Sequence, residues 1–214
     1  MTVIFDFDGV IADTNNLHLT AWDLAYENLT KCRVERLSRF AGLRTETIAS
    51  ILAKESTLTG RTCSAADIRR LKQRILTGGE ISCEAVPGIH GFLAQLSARE
   101  VRWGIASNSS REFVGKILAD LGIDTKVLVG AEDVIRPKPA PDAFWACANR
   151  LGVSESARHT VRVFEDSEHG IKAAVAAGMI PFGIATDITP ARLVSAGARR
   201  VYRDFTEIGS EFFG

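Results

Sequence analysis

The sequence predicts an α/β fold, a mostly parallel sheet with helices on both faces, carrying an all-helical insertion. Two observations predict it. From Val86 onward, strand-like and helix-like patterns alternate, as repeated βα units require. Before that, roughly seventy residues after the first strand read as helix alone, where an α/β connection is normally a fraction as long. The expected layout is a core of residues 1–13 and 85–214, with residues 14–84 inserted as a helical cap.

The first strand is the run Val3-Ile4-Phe5, β-branched and aromatic. It leads into Asp6-Phe7-Asp8-Gly9. In an extended strand, positions i and i+2 face the same way, so Asp6 and Asp8 are expected to aim at one place. That place is the carboxyl end of a strand, where open α/β sheets bind their ligands. Like charges that close call for a compensating cation, so a metal is expected between or beside them. The alternative is a strand ending in an ordinary Asp-Gly turn.

The insertion follows. Leu17, Ala21, Leu24 and Ala25 predict a helix over 16–29, with Trp22 on an adjoining face. Ile48, Ile51 and Leu52 mark a helix over 45–54. Ile68, Leu71 and Ile75 mark another over 65–76, with Arg69, Arg70, Lys72 and Arg74 expected in water and Gly78-Gly79 as its end.

The core then resumes. Pro87-Gly88 leads into a helix carrying Ile89, Phe92, Leu93 and Leu96. Val101 to Ala106 is a strand breaking into Ser107-Asn108-Ser109-Ser110, followed by a helix with Phe113, Ile117 and Leu118 that stops at Gly122. Lys126 to Val129 reads as a short strand. Pro139-Ala140-Pro141-Asp142 starts a helix that ends at Gly152. Val161 to Phe164 is a strand running into Glu165-Asp166. Ser167 caps the next helix, whose stripe is Ile171, Ala174, Val175 and Gly178. A strand over 180–184, a short helix begun by Thr189-Pro190, and a strand near 200–202 complete the pattern.

Composition excludes several classes. The 214 residues hold 26 basic and 26 acidic side chains, so no general attraction to nucleic acid or anionic membrane is expected. The apolar runs are too short to span a bilayer, and the first residues carry no export-signal pattern. Cys32, Cys63, Cys83 and Cys147 lack metal or redox spacing and are expected as free thiols. The expectation is a soluble, cytoplasmic, monomeric protein.

Four polar clusters fall at the ligand edge: Asp6/Asp8, Ser107-Asn108, Lys138, and Glu165-Asp166. Singly, each has a plain alternative: a helix cap for the serines, a loop charge for Lys138, a helix-dipole partner for Glu165-Asp166. Together they suit phosphoryl transfer. One carboxylate attacks phosphorus, and its neighbour two residues on protonates the leaving oxygen. A hard divalent cation, Mg²⁺ foremost, offsets the negative charge. A hydroxyl, an amide and an ammonium hold the phosphoryl oxygens.

Four signatures, Asp6-Phe7-Asp8-Gly9-Val10, Ser107-Asn108-Ser109, Lys138-Pro139-Ala140-Pro141-Asp142 and Glu165-Asp166-Ser167 with Gly170-Ile171, span nearly the whole chain. Through them it resembles the haloacid dehalogenase superfamily, in the β-phosphoglucomutase-like phosphatase subgroup with a helical cap. The resemblance implies a Rossmann-like, doubly wound core. It implies Asp6 as nucleophile and Asp8 as general acid/base. It places Mg²⁺ on the Asp6 carboxylate, the Asp8 main-chain carbonyl and Asp166, with Glu165 close by through water. Ser107, Asn108 and Lys138 would hold the phosphoryl group of a small phosphorylated substrate. The aspartate at position 8 disfavours dehalogenation, and the full set of reactive types disfavours a non-catalytic regulatory relative.

Phosphatase or mutase depends on the cap. His18, within His18-Leu19-Thr20-Ala21-Trp22, resembles the mutase pattern at the cap hinge, with a histidine that merely packs near Trp22 as the alternative. Gly42-Leu43-Arg44 is similar to a loop that grips a distal phosphate, one residue short in spacing. Lys72 is a candidate sugar contact, against a solvated basic face. The expectation is a phosphatase of sugar or polyol phosphates, with the mutase as alternative.

Overall fold

The structure, a computed structural model, describes residues 1–40, 45–78 and 82–214. The chain divides into two compact units, Met1–Asp13 with Cys83–Gly214, and Thr14–Ser82. The chain leaves and re-enters the first unit side by side: Asp13 N–H donates to the Glu84 carbonyl at 2.9 Å, and Ala12 bridges Ala85.

The first unit opens with β1 (Thr2–Phe5), fully buried along its length. The second unit holds α1 (Asn15–Thr30), α2 (Thr45–Ser56) and α3 (Ala65–Gly78). Returning to the first, the elements are α4 (Ile89–Ala98), β2 (Arg102–Ala106), α5 (Arg111–Asp120), β3 (Leu128–Val129), α6 (Asp142–Arg150), β4 (Val161–Glu165), α7 (Glu168–Ala176), β5 (Ile180–Ile184), α8 (Pro190–Ala196) and β6 (Arg200–Tyr202). The six strands form one all-parallel sheet in the order β3-β2-β1-β4-β5-β6. That is a doubly wound order, with its reversal point between β1 and β4.

Alternation along the strands sends successive side chains to opposite layers. Ile4, Ala106, Val161 and Val163 meet Phe144, Cys147, Ala148, Ala173 and Ala174 of α6 and α7. Phe5 and Phe164 face the other way, stacked at 5.4 Å, and both pack on Phe92 of α4 and Phe205 near the C-terminus. The helical unit has its own core of Trp22, Tyr26, Phe40, Ile48, Leu52 and Ile68.

Several expectations change. The strand expected over 126–129 shortens to Leu128–Val129. Val175 is 49% exposed and lies outside the α7 stripe, where Ala173 is buried instead. Lys72 was expected in water and is buried, because it follows Ile68 and precedes Leu76 by four residues each on the inward stripe. Gly42, Leu43, Arg44 and Gly79 lie outside the described residues. Among the described residues, no helix is long and apolar enough to cross a membrane.

Candidate active site

β1 ends at Phe5, so Asp6 and Asp8 leave the strand and do not share a strand face as the sequence suggested. The chain turns at once: the Phe7 carbonyl accepts from Val10, Ile11 and Ala12 N–H, and Gly9 takes φ +73°. The two carboxylates therefore diverge. Asp6 N–H still donates to the Phe164 carbonyl at 2.9 Å, which fixes its backbone beside β4 at the sheet's reversal point. The Asp8 carboxylate turns toward β2, where Oδ2 accepts from Ser109 Oγ at 2.7 Å and Ser107 Oγ at 3.3 Å.

Lys138 sits at the centre. Its Nζ donates to Asp6 Oδ1 at 2.6 Å, Glu165 Oε1 at 2.7 Å and the Ala106 carbonyl at 2.8 Å, and it lies 4.6 Å from the Phe144 ring centroid. The side chain is only 3% exposed, so these are desolvated, charge-assisted bonds. The loop that delivers it is tied at two points. Asn108 Oδ1 accepts from Lys138 N–H at 3.1 Å, and Arg136 makes a bidentate pair with Asp142, at 3.1 and 2.9 Å. Asn108, expected on the phosphoryl group, uses its carbonyl oxygen to hold the lysine's backbone.

Glu165 and Asp166 follow β4. The second Glu165 oxygen, Oε2, accepts from Ser167 N–H at 3.0 Å and Ser167 Oγ at 2.9 Å, while Ser167 Oγ accepts from Gly170 N–H and caps α7. Close approach requires two glycines. A Cβ on Gly170 would fall inside the Glu165 carboxyl group, and one on Gly9 would overlap Asp166 Oδ2.

Asp6, Glu165 and Asp166 each bring a ligand oxygen to within 4.8 Å of the others, the one such group among the described residues. An all-carboxylate, hard-oxygen set of this kind fits Mg²⁺ or a similar cation. The Asp8 carboxylate, expected near a metal, is outside this set because the serines hold it. The electrostatics agree with a cation-seeking site. Burial, together with Glu165 and Asp8, pushes Asp6 up to about 8 despite the opposing pull of Lys138. Asp166 is raised well above the carboxylate range by burial and by Glu165, Asp6 and Asp187. Lys138 is itself raised, because its two carboxylate partners outweigh the cost of burying it.

In the helical unit, Lys72 Nζ lies 2.9 Å from His18 Nδ1 and 5.1 Å from the Trp22 ring centroid. The two expected cap residues therefore meet each other. The third, Arg44, lies outside the described residues. Sequence reasoning missed Ser109 as a partner of Asp8 and Ser167 as a partner of Glu165, although both stand inside the quoted signatures. It also missed the Ala106 carbonyl, which no side-chain pattern reveals.

A doubly wound sheet with this cluster at its reversal point defines a hydrolase of one family. The model of the haloacid dehalogenase-like hydrolases matches residues 3–184, and the chain belongs to that family. It is 31% identical over 192 residues to the β-phosphoglucomutase of Bacillus subtilis, covering 85% of this chain and 82% of that protein. It is also 31% identical over 183 residues to a fructose-1-phosphate phosphatase of Escherichia coli, covering 83% and 92%. CbbY of Rhodobacter sphaeroides, solved with phosphate, has the same fold, with a TM-score of 0.77 at 23% identity, covering 97% of this chain and 96% of that one. Within the family the chain falls in the β-phosphoglucomutase-like phosphatase subgroup and is a phosphomonoester hydrolase.

Proposed function

We propose a Mg²⁺-dependent phosphatase of small phosphorylated metabolites, sugar or polyol phosphates, working through an aspartyl-phosphate on Asp6. The observation that carries it is the Lys138 ammonium bonded to both Asp6 and Glu165, with Asp166 completing a three-carboxylate group. A nucleophile is thereby held beside a fixed positive charge, in a pocket of oxygens suited to a hard cation.

Asp6, Glu165, Asp166 and the Asp8 main-chain carbonyl would hold Mg²⁺, which when bound supplies positive charge against the phosphoryl oxygens. Asp6, once ionised, attacks phosphorus and forms the Asp6 O–P bond while the ester P–O bond breaks. Asp8 gives its proton to the departing alkoxide oxygen, so the alcohol leaves neutral. Water then attacks phosphorus, Asp8 takes its proton, and the Asp6 carboxylate is released with inorganic phosphate. Ser107, Asn108 and Lys138 would bind the phosphoryl oxygens: Lys138 with its charge, Ser107 with its hydroxyl, Asn108 with the amide NH₂ that faces away from its own bond to the lysine backbone. The helical unit is the candidate cap, with His18, Lys72 and Arg44 as its candidate substrate contacts. A cytoplasmic monomer, with no nucleic-acid or membrane partner, goes with this reading.

A mutase is the second reading, favoured by the match to a β-phosphoglucomutase at the same identity as the phosphatase. A panel of sugar and polyol phosphates with Mg²⁺ separates them. Steady release of inorganic phosphate supports the phosphatase. Conversion of β-glucose 1-phosphate to the 6-phosphate, dependent on a bisphosphate primer and with little free phosphate, overturns it. Neither activity, with no phosphate mimic bound at Asp6, leaves a regulatory protein.

A further inference from the structure

We propose that Ser109 is a positioning residue for Asp8, fixing the orientation of that carboxyl group; this rests on Asp8 being the general acid/base. Among the described residues, the hydroxyls of Ser107 and Ser109 reach Asp8 Oδ2, and Ser109 is the one not assigned to the phosphoryl group. Ser107, fully buried, has a single O–H, which points at Asp8 over 3.3 Å. Its oxygen already accepts from Ser109 N–H at 2.9 Å. When the Ser107 O–H turns to donate to a phosphoryl oxygen, its 3.3 Å bond to Asp8 is lost. The shorter bond from Ser109 Oγ, at 2.7 Å, persists.

Ser109 is built to stay in place. Its N–H is bound to Ser107 Oγ, and its carbonyl accepts from Ala131 N–H at 3.0 Å. The hydroxyl is therefore carried on a backbone fixed on both sides, between the end of β2 and the start of α5. The Ser109 hydroxyl donates to Oδ2 when Asp8 is ionised and can accept from it when Asp8 is protonated, so the contact holds the carboxyl group in both halves of the reaction. Without that contact, the Asp8 carboxyl group is held less firmly, so fewer encounters are productive.

The test compares kcat/KM, which reads the first transfer to Asp6, for p-nitrophenyl phosphate and phenyl phosphate. The poorer phenolate leaving group depends far more on proton delivery. In Ser109→Ala, the phenyl-to-nitrophenyl ratio of kcat/KM should fall about tenfold, a fraction of the ~100-fold or more that general acid catalysis supplies. Ser109→Thr, which keeps the hydroxyl, should restore the ratio. An equal loss on both esters, or no loss on either, overturns the proposal. Asp8→Asn serves as the reference. If it lowers the ratio and Ser109→Ala does not, Asp8 is the acid and Ser109 does not position it. If Asp8→Asn itself leaves the ratio unmoved, the role of Asp8 fails, and that of Ser109 with it.

Discussion

Replacing Lys138 by methionine tests the centre of the site most severely. Methionine keeps most of the stem that packs on Phe144 but removes the ammonium bonded to Asp6, Glu165 and the Ala106 carbonyl. Deleting one member of a buried ion pair typically costs about 3–5 kcal/mol, because the remaining charge is left unpaired. Here the lower end applies. Asp6 already sits near 8 with the lysine present and can take up a proton when it is gone. For a chain of this size about 3 kcal/mol corresponds to a fall of roughly 6–12 °C in Tm. The assay is thermal unfolding at neutral pH in EDTA, repeated with saturating Mg²⁺. The metal should return part of the loss, since it neutralises the same carboxylates. Turnover should fall at least about 100-fold, the usual cost of losing one preorganised donor to a developing charge. A variant unfolding within about one degree of the parent, where several are expected, would refute the reasoning that Lys138 neutralises a buried anionic cluster.

Further outcomes follow from the same geometry. Asp6→Asn should abolish turnover and leave the fold intact, as judged by circular dichroism; surviving activity rules out covalent catalysis through Asp6. Gly9→Ala places a Cβ against Asp166 Oδ2 at a φ of +73°, so the Mg²⁺ concentration for half-maximal activity should rise, by about tenfold; an unchanged requirement removes Asp166 from the metal set. Asp6 is raised in the folded state from 3.8 to about 8, and the metal-free folded form therefore keeps a proton that the unfolded chain releases. The resulting stability is full below about 4 and is lost as pH rises through about 8. Tm in EDTA should thus fall between about pH 4 and 8 while the Mg²⁺ increment grows, and a flat metal-free profile contradicts the raised carboxyl.

Much of the core was legible because its strands are buried on both faces and its helices keep their period. Thr2–Phe5, Val161–Glu165 and Ile180–Ile184 read as apolar runs for that reason. The reacting groups were legible because they stand at strand ends. Their pairing was not. Nothing in Asp6-Phe7-Asp8 says that the strand stops at Phe5, and that stop sends Asp8 to the serines after β2 instead of to its neighbour. Lys72 was misread because Arg69, Arg70 and Arg74 made it look like part of a wet face. The spacing Ile68, Lys72, Leu76 held the contrary signal, and His18 with Trp22 gives the ammonium its surroundings. Such a lysine is found by asking which stripe it lies on before asking what charge it carries.

The topology explains how so many carboxylates come to share one place. β1 and β4 are far apart in sequence but adjacent in the sheet, so Asp6 and Glu165-Asp166 are delivered side by side at the reversal of strand order. Lys138 offsets one of their charges, and Gly9 and Gly170 allow the carboxyl groups to crowd further. What remains unbalanced appears as protons: Asp6 and Asp166 are both driven upward by burial and by Glu165. A divalent cation entering this set displaces those protons and removes the repulsion in one step. Metal affinity, the ionised state of the nucleophile and the pH dependence of stability are then one electrostatic property. A change such as Gly9→Ala should move all three together, even though it alters no charge.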